Sequence, residues 1–288
     1  MARKTIVISG ASGLIGSALT AELAAEWEVH GIARRAESSA RTIWHEMDLS
    51  APCNFGGLPA APDAVVYLAQ SERFREFPNR AEEIFQVNTV NLLRALEYAR
   101  ARGCRTFVYG SSGGVYGTGE TTMSERVEIV ARGDLGFYLS SKLCSEILAQ
   151  NYAPFLDVVV LRYFFVYGPG QRHSMLVPRL IEHVRRGELV DLQGEEGIRI
   201  NPVHVTDAAA ATARALSLTG SHTINVGGPE VLTLRRMCAT IGAAVRREPM
   251  FRVDRAASPG HLTADIQRMR EVLVAPKVLF AEGLKTML

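Results

Sequence analysis

The stretch Thr5-Ile-Val-Ile-Ser-Gly10-Ala-Ser-Gly13-Leu-Ile-Gly16-Ser-Ala-Leu-Thr20 decides the architecture. Thr5 to Ser9 is a short apolar run rich in β-branched residues, the pattern of a strand buried on both faces. From Gly13 onward Leu14, Ala18, Leu19, Ala21 and Leu23 fall at helical spacing, which predicts a helix as far as Trp27. Between the two stand Gly10, Gly13 and Gly16. A tight strand-to-helix turn needs a residue free to take positive φ. A second must lack Cβ so that backbone N–H groups can approach a pyrophosphate, and a third lets the helix lie close on the sheet. An anion in that turn sits at a helix N-terminus, where unpaired N–H groups and the macrodipole favour negative charge. The order strand, glycine turn, helix predicts a dinucleotide-binding turn, contacted through Gly10, Ser12, Gly13, Leu14, Ile15 and Gly16.

The 288 residues, 47% hydrophobic and 22% charged, can bury a substantial core as one large domain or as a domain with a smaller lobe. A formal charge of +2 gives no argument for nucleic acid or a membrane surface, so a charged partner has to be recognised by a few placed Arg or Lys. Cys53, Cys104, Cys144 and Cys238 are far apart and form no CxxC pair. They read as reduced thiols of a cytoplasmic protein, and neither a disulfide frame nor a metal site is expected. The first strand follows the initiator Met so closely that no signal peptide is expected. The most apolar run, Val158 to Tyr167, is short and interrupted by Arg162, so no membrane span is expected.

Downstream, Glu28 to Ala33 reads as a second strand followed by Arg34-Arg35, where an Asp or Glu would hold the adenosine ribose of NAD. Two guanidiniums there can accommodate a 2′-phosphate, which tilts the cofactor from NAD toward NADP; the alternative is a solvated basic turn. Thr42 to Met47 is extended and leads into Asp48-Leu49, whose carboxylate could reach the adenine amino group. Residues 50 to 62 read as a loop, and Ala64 to Ala69 as a buried strand whose end, Leu68-Ala69, passes near the pyrophosphate. A long helix is predicted from Ala81 to Arg102, a strand from Arg105 to Gly110, and a loop from Thr118 to Phe137. This βαβα alternation predicts an α/β fold with a doubly wound parallel sheet. Ser111 and Ser112 follow the strand at the edge where such sheets bind ligands. Tyr138-Leu-Ser-Ser-Lys142 opens a helix with Tyr and Lys on one face. A nearby ammonium stabilises phenolate and lowers a Tyr pKa, which makes a proton shuttle near neutral pH.

With Gly10-x-x-Gly13-x-x-Gly16, Asp48-Leu49, Tyr67-Leu-Ala69, Ser111-Ser112-x-x-Val115-Tyr-Gly117, Tyr138-x-x-x-Lys142, Leu161 to Gly170, Val203 to Asp207 and Asn225-Val-Gly227, the chain resembles the extended short-chain dehydrogenase/reductase superfamily. Within it, the chain looks like the nucleotide-sugar branch called the NAD-dependent epimerase/dehydratase family. The resemblance implies a Rossmann domain over 1–167, with 201–228 returning to it, and a small C-terminal substrate-binding lobe over 168–200 and 229–288. It implies Ser112, Tyr138 and Lys142 as the catalytic triad, Lys142 also holding the nicotinamide ribose, with Tyr163 among the cofactor contacts. Ser111, Ser112, Phe165 and Arg199 would meet a nucleotide-diphospho-sugar, and helices near 81–102 and 138–152 would form a dimeric four-helix bundle.

Departures from the family pattern narrow the chemistry. Its 4,6-dehydratases carry Asp-Glu after the catalytic hydroxyl residue, whereas this chain has Gly113-Gly114, with nothing to ionise. Its decarboxylases usually keep the Glu. Phe165 stands where relatives commonly have Asn; it either marks a deoxygenated sugar or altered pose, or packs into the core. The loop before Tyr138 is short and leaves the substrate mouth undefined. In the lobe, Met175 to Arg186 is predicted helical, and Arg199 is expected either to anchor the diphosphate or to pair with Glu195 or Glu196. His204 reads as structural, Asp207 as a helix cap, Thr233 as the cap of a helix to Val245, and Thr263 to Leu288 as a helical tail. Three functions fit: a nucleotide-sugar epimerase acting at C4, an NADPH-dependent 4-keto-sugar reductase, and a non-catalytic dinucleotide sensor. The epimerase is preferred.

Overall fold

The computed structural model describes residues 3–35, 41–130 and 133–288, so the loop expected over 118–137 is described except at 131 and 132. The chain divides into two compact units. The first comprises the described parts of Met1–Val115, Ile129–Arg162 and Ala209–Ile224, and the second Tyr116–Glu128, Tyr163–Ala208 and Asn225–Leu288. The second unit thus begins earlier in the chain than a lobe starting at residue 168.

The leading strand β1 (Lys4–Ser9) has Ile6, Val7 and Ile8 fully buried, as its apolar run predicts. It is followed by α1 (Leu14–Leu23), β2 (Trp27–Ala33), β3 (Thr42–Glu46) and β4 (Ala64–Tyr67). Next come α2 (Ala81–Phe85), a π-helical turn (Gln86–Val90), α3 (Asn91–Ala101), β5 (Thr106–Ser112), α4 (Gly136–Gln150) and β6 (Asp157–Tyr163). With β9 (His222–Val226) these strands form a seven-stranded parallel sheet in the order β3-β2-β1-β4-β5-β6-β9, a Rossmann-type arrangement. Winding runs one way from β1 to β3 and the other way from β4, so β1 and β4 are neighbours and the switch point lies between them. One apolar layer of the core comprises Val7, Ile32, Tyr67, Leu92, Phe107 and Val160 among others. Each such side chain contributes roughly 1.5–3 kcal/mol by leaving water.

Several boundaries differ from the sequence reading, among them the following. Helix α1 stops at Leu23, because Trp27 already pairs with Lys4 as the first residue of β2. The helix over 81–102 carries a π-turn at Gln86–Val90, a wider turn that buries Val87, Asn88 and Thr89. Strand β5 extends through Ser112, so Ser111 and Ser112 are its last residues and not part of the following loop.

The second unit contains α5 (Leu176–Arg186), the two-residue strands β8 (Arg199–Ile200) and β10 (Leu232–Thr233), and α7 (Leu234–Val245). Val177, Leu180, Val184, Met237, Ile241 and Leu284 share one of its apolar clusters. Thr233 caps α7 by accepting the Arg236 N–H at 3.1 Å, as predicted. A parallel pair, β7 (Leu189–Gln193) with β11 (Met250–Asp254), has no counterpart in the sequence reading. The tail is not one helix: α8 (Gln267–Val272) and α9 (Phe280–Leu284) are separated by a stretch containing Pro276, which cannot continue a helix. Asp207 lies inside α6 (Val205–Ala215) and does not cap it; its Oδ2 accepts the Lys277 and Val278 N–H groups, each at 2.9 Å, and so ties down that stretch. His204 has the structural role expected. Its ring nitrogens meet Thr206 and Thr286 at 2.8 and 3.2 Å, and burial lowers its pKa.

Candidate active site

The glycine turn joins β1 to α1 at the switch point. Gly10 has φ +79°, and a Cβ built on it would lie 2.8 Å from the Ala69 backbone nitrogen, so a side chain is both strained and obstructed there. A Cβ on Gly16 would collide with the Gly10 carbonyl oxygen, which is how closely α1 returns over the turn. Gly13 is the N-cap, and no side chain caps the helix. Helix N–H groups left without a side-chain acceptor, beside backbone that only glycine allows a ligand to approach, fit a dinucleotide pyrophosphate. Ser12 is exposed in the turn, Leu14 and Ile15 are half-buried, and Leu68 is held to the turn by its N–H on the Ser9 carbonyl at 2.9 Å.

Arg34 and Arg35 are exposed just past β2, and the Arg34 guanidinium is engaged by Glu72. Asp48 is exposed, and its Oδ1 accepts the Ser50 N–H at 3.0 Å. That hydrogen bond, assisted by Arg34, holds its carboxyl below the usual range. Leu49 is buried. The loop after it is fixed by Asn91, fully buried, whose Nδ2 donates to the Leu49 and Ala51 carbonyls at 2.7 and 2.8 Å.

Helix α4 presents Tyr138 in its first turn and Lys142 one turn on. The Tyr138 hydroxyl donates to Gln70 Oε1 at 2.8 Å, and the buried Lys142 Nζ donates to the Gly110 carbonyl of β5 at 2.8 Å. Ser112 ends β5, its Oγ accepting the Gly114 N–H at 3.2 Å. The expected lowering of the tyrosine pKa is not seen. Burial pushes the Tyr138 phenol up, and it also brings Lys142 down to about 7 against the pull of Glu146. Lys142 Nζ is turned toward a backbone carbonyl, and burial disfavours the charged form of both groups. A Cβ on Gly114 would lie 2.8 Å from Leu139 Cδ2, so a larger residue there requires the Leu139 side chain to move.

Sequence reasoning missed the groups behind these residues. Glu146, four positions after Lys142 on α4, is buried and bonded by Arg162 of β6, with Nη2 to Oε2 at 2.6 Å and Nε at 3.1 and 3.2 Å. Ser111 Oγ donates to the same carboxylate. Arg162 was visible as the charge interrupting the most apolar run, and a charge in a buried strand needs a partner. Asn88 links the π-turn to α4 by donating to Ser141 Oγ at 2.9 Å, and Ser141 in turn donates to the Tyr138 carbonyl at 2.7 Å. Arg162→Met leaves the buried Glu146 without its guanidinium partner, and is expected to cost about 3–5 kcal/mol in urea denaturation. The double variant Arg162→Met/Glu146→Leu should recover most of that. A single variant as stable as the parent would show that the carboxylate finds another partner.

In the second unit, Tyr163 is buried. Phe165 takes φ +47°, a left-handed conformation unusual for an aromatic residue, while packing against that unit's core. Arg199 pairs with Glu120 at 3.2 Å and not with Glu195 or Glu196, which are engaged by Arg235 and, for Glu195, Arg255.

The profile of the NAD dependent epimerase/dehydratase family matches residues 6–227. The GDP-6-deoxy-D-mannose reductase of Pseudomonas aeruginosa is 33% identical over 217 residues, which is 70% of this chain and 63% of that protein. The UDP-glucose 4-epimerase of Mycolicibacterium smegmatis is 28% identical, with 96% of this chain and 95% of that protein covered. The solved structure of MoeE5 in complex with UDP-glucuronic acid and NAD is 27% identical, with a TM-score of 0.82 over 98% of this chain and 97% of that one. With the glycine turn, the strand-end serine and the Tyr-x-x-x-Lys helix in the sheet positions described, this chain belongs to the NAD-dependent epimerase/dehydratase family.

Proposed function

We propose that the protein is an NAD(P)-dependent nucleotide-sugar epimerase acting at C4 through a keto intermediate. The observation that carries this reading is the end of β5. Ser112 is followed by Gly113-Gly114, so the two positions next to it carry no acid or base for elimination, and Tyr138 is the proton shuttle. Gly10, Ser12, Gly13, Leu14, Ile15, Gly16, Asp48, Leu49, Leu68, Ala69 and Tyr163 would hold the cofactor, which when bound supplies the hydride acceptor and donor. Tyr138 takes the proton of the sugar hydroxyl at its Oη and returns it, Ser112 Oγ hydrogen-bonds the same oxygen, and Lys142 supports the phenolate and holds the cofactor ribose. Ser111, Phe165 and Arg199 serve the substrate. The sensor reading loses ground, since a sensor has no use for this shuttle. The keto-sugar reductase is kept as the second reading because the Pseudomonas aeruginosa relative is a reductase.

On the cofactor, the lean to NADP rested on Arg34 and Arg35. Glu72 engages Arg34, so a 2′-phosphate would have to displace a carboxylate, and the MoeE5 complex carries NAD. We therefore place NAD first. As for assembly, Phe85, Leu93 and Ile147 expose 41%, 38% and 55% of their surfaces on α2, α3 and α4, which supports a homodimer through a four-helix bundle. The four cysteines are free, in keeping with a cytoplasmic location that cell fractionation would check.

Incubated with NAD and UDP-, GDP- or dTDP-sugars, the protein should interconvert one pair of C4 epimers with no net change in NADH absorbance. Tyr138→Phe should lower that rate at least about a hundredfold while leaving NAD affinity within a few fold. Net NADPH oxidation by a 4-keto-sugar would favour the reductase instead. In calorimetric titration, Glu72→Ala is expected to tighten NADP⁺ binding several fold with NAD⁺ unchanged, and equal effects on both would remove Arg34 from cofactor choice. In sedimentation, Ile147→Glu should convert a dimer to a monomer; a parent that is already monomeric would end the bundle proposal.

A further inference from the structure

The segment between β4 and α2 is draped over the first turn of α4. Gln70 Oε1 accepts the Tyr138 hydroxyl at 2.8 Å, the Phe74 ring lies 5.0 Å from the Tyr138 ring at 49°, and Phe77 stacks on Phe137 at 4.8 Å. The segment is fixed from below. The Ser71 N–H donates to Asn88 Oδ1 at 3.0 Å, and Ser71 Oγ donates to Glu83 at 3.2 Å. Asn88 Nδ2 donates to Ser141 Oγ at 2.9 Å, and Ser141 donates to the Tyr138 carbonyl at 2.7 Å. The bonds close on themselves: phenol to Gln70, along the chain to Ser71, through Asn88 and Ser141, and back to the Tyr138 backbone. One end of that circuit holds the tyrosine's carbonyl and the other holds its hydroxyl.

We infer that Gln70 is a positioning residue for the reaction, which fixes the direction of the Tyr138 hydroxyl and favours its neutral form. The inference rests on the reading of Tyr138 as the proton-transfer residue. An amide oxygen can only accept from a phenol, so it stabilises the protonated state. The bond also turns the hydroxyl proton toward the segment, and a sugar hydroxyl approaching Tyr138 meets an oxygen whose orientation is already set. Gln70 is exposed, so its substitution leaves the buried circuit beneath it in place. The charged and titratable groups connected to Tyr138 through its helix and the packed segment include Lys142 and Glu146 on its own helix, Tyr109 on β5, Glu83 bonded to Ser71, and Arg75, which lies over the Phe74 ring.

The test uses protein labelled with 3-fluorotyrosine, whose phenol ionises at lower pH, and follows the ¹⁹F resonance that disappears in Tyr138→Phe. Gln70→Ala removes the acceptor, and its midpoint should fall by about half a pH unit or more. Gln70→Glu puts a negative charge at the same place and should raise it. The acid limb of the kcat profile should move in the same two directions, with KM and NAD affinity changed less than about threefold, a pattern that loss of packing does not produce. Identical midpoints in the parent and both variants would overturn the role of Gln70 and leave the proposed function intact. Full turnover by Tyr138→Phe would overturn the proposed function, and the role of Gln70 with it.

Discussion

One buried carboxylate ties the helix that carries Tyr138 and Lys142 to two strands of the sheet. Glu146 takes both nitrogens of the Arg162 fork and the Ser111 hydroxyl, so a helix and two strands are fixed relative to a single group. Its helix carries Tyr138 and Lys142, and Ser111 adjoins Ser112 on β5. A buried ion pair contributes little net stability compared with apolar side chains of the same volume, since desolvation cancels most of the attraction. What it contributes is register. A helix held to β5 and β6 only by apolar contacts could slide by a fraction of a turn at small cost, whereas a two-pronged bond tolerates no such movement. The same carboxylate acts on Lys142, where it favours the charged form that burial disfavours.

How far the sequence could be read follows from what kind of signal each feature leaves. The sheet was legible because β1, β2, β4, β5 and β6 are buried runs whose composition excludes a surface position. The glycine turn and the Tyr-x-x-x-Lys helix were legible because fixed spacing is the signal. The parallel pair β7 and β11 was not, since strands of five residues with alternating burial carry too little pattern to stand out. Asp207 was misassigned as a cap because its partners, the Lys277 and Val278 N–H groups, are about seventy positions away. Asn88 and Gln70 were missed for the same reason. Asn and Gln announce nothing by themselves, and their role here comes from partners that only the folded chain brings near.

Desolvation opposes the lowering of the Tyr138 pKa that a neighbouring Lys142 is expected to give. Spacing places the two residues on one helix face but carries no sign of desolvation, which acts on both groups and pushes each toward its neutral form. In the structure the phenol is hydrogen-bonded to Gln70 and Lys142 Nζ to the Gly110 carbonyl.

Three consecutive residues after β4 reach in three directions: Gln70 to the Tyr138 hydroxyl, Ser71 to Asn88 and Glu83, and Glu72 to Arg34. The chain leaves the sheet here and enters a turn at Glu72, so the three side chains diverge. Under the proposed function, the outer two contacts concern different parts of the reaction, the proton on the phenol and the choice of cofactor. The middle one pins the backbone that both depend on. Asn88 therefore limits how either outer residue can vary. A substitution at Glu72 that needed a new backbone path to reach Arg34 would have to break the Ser71 N–H bond to Asn88, and Gln70 would leave Tyr138 with it. Changes that keep the backbone and alter only the end of the Glu72 side chain are free of that coupling.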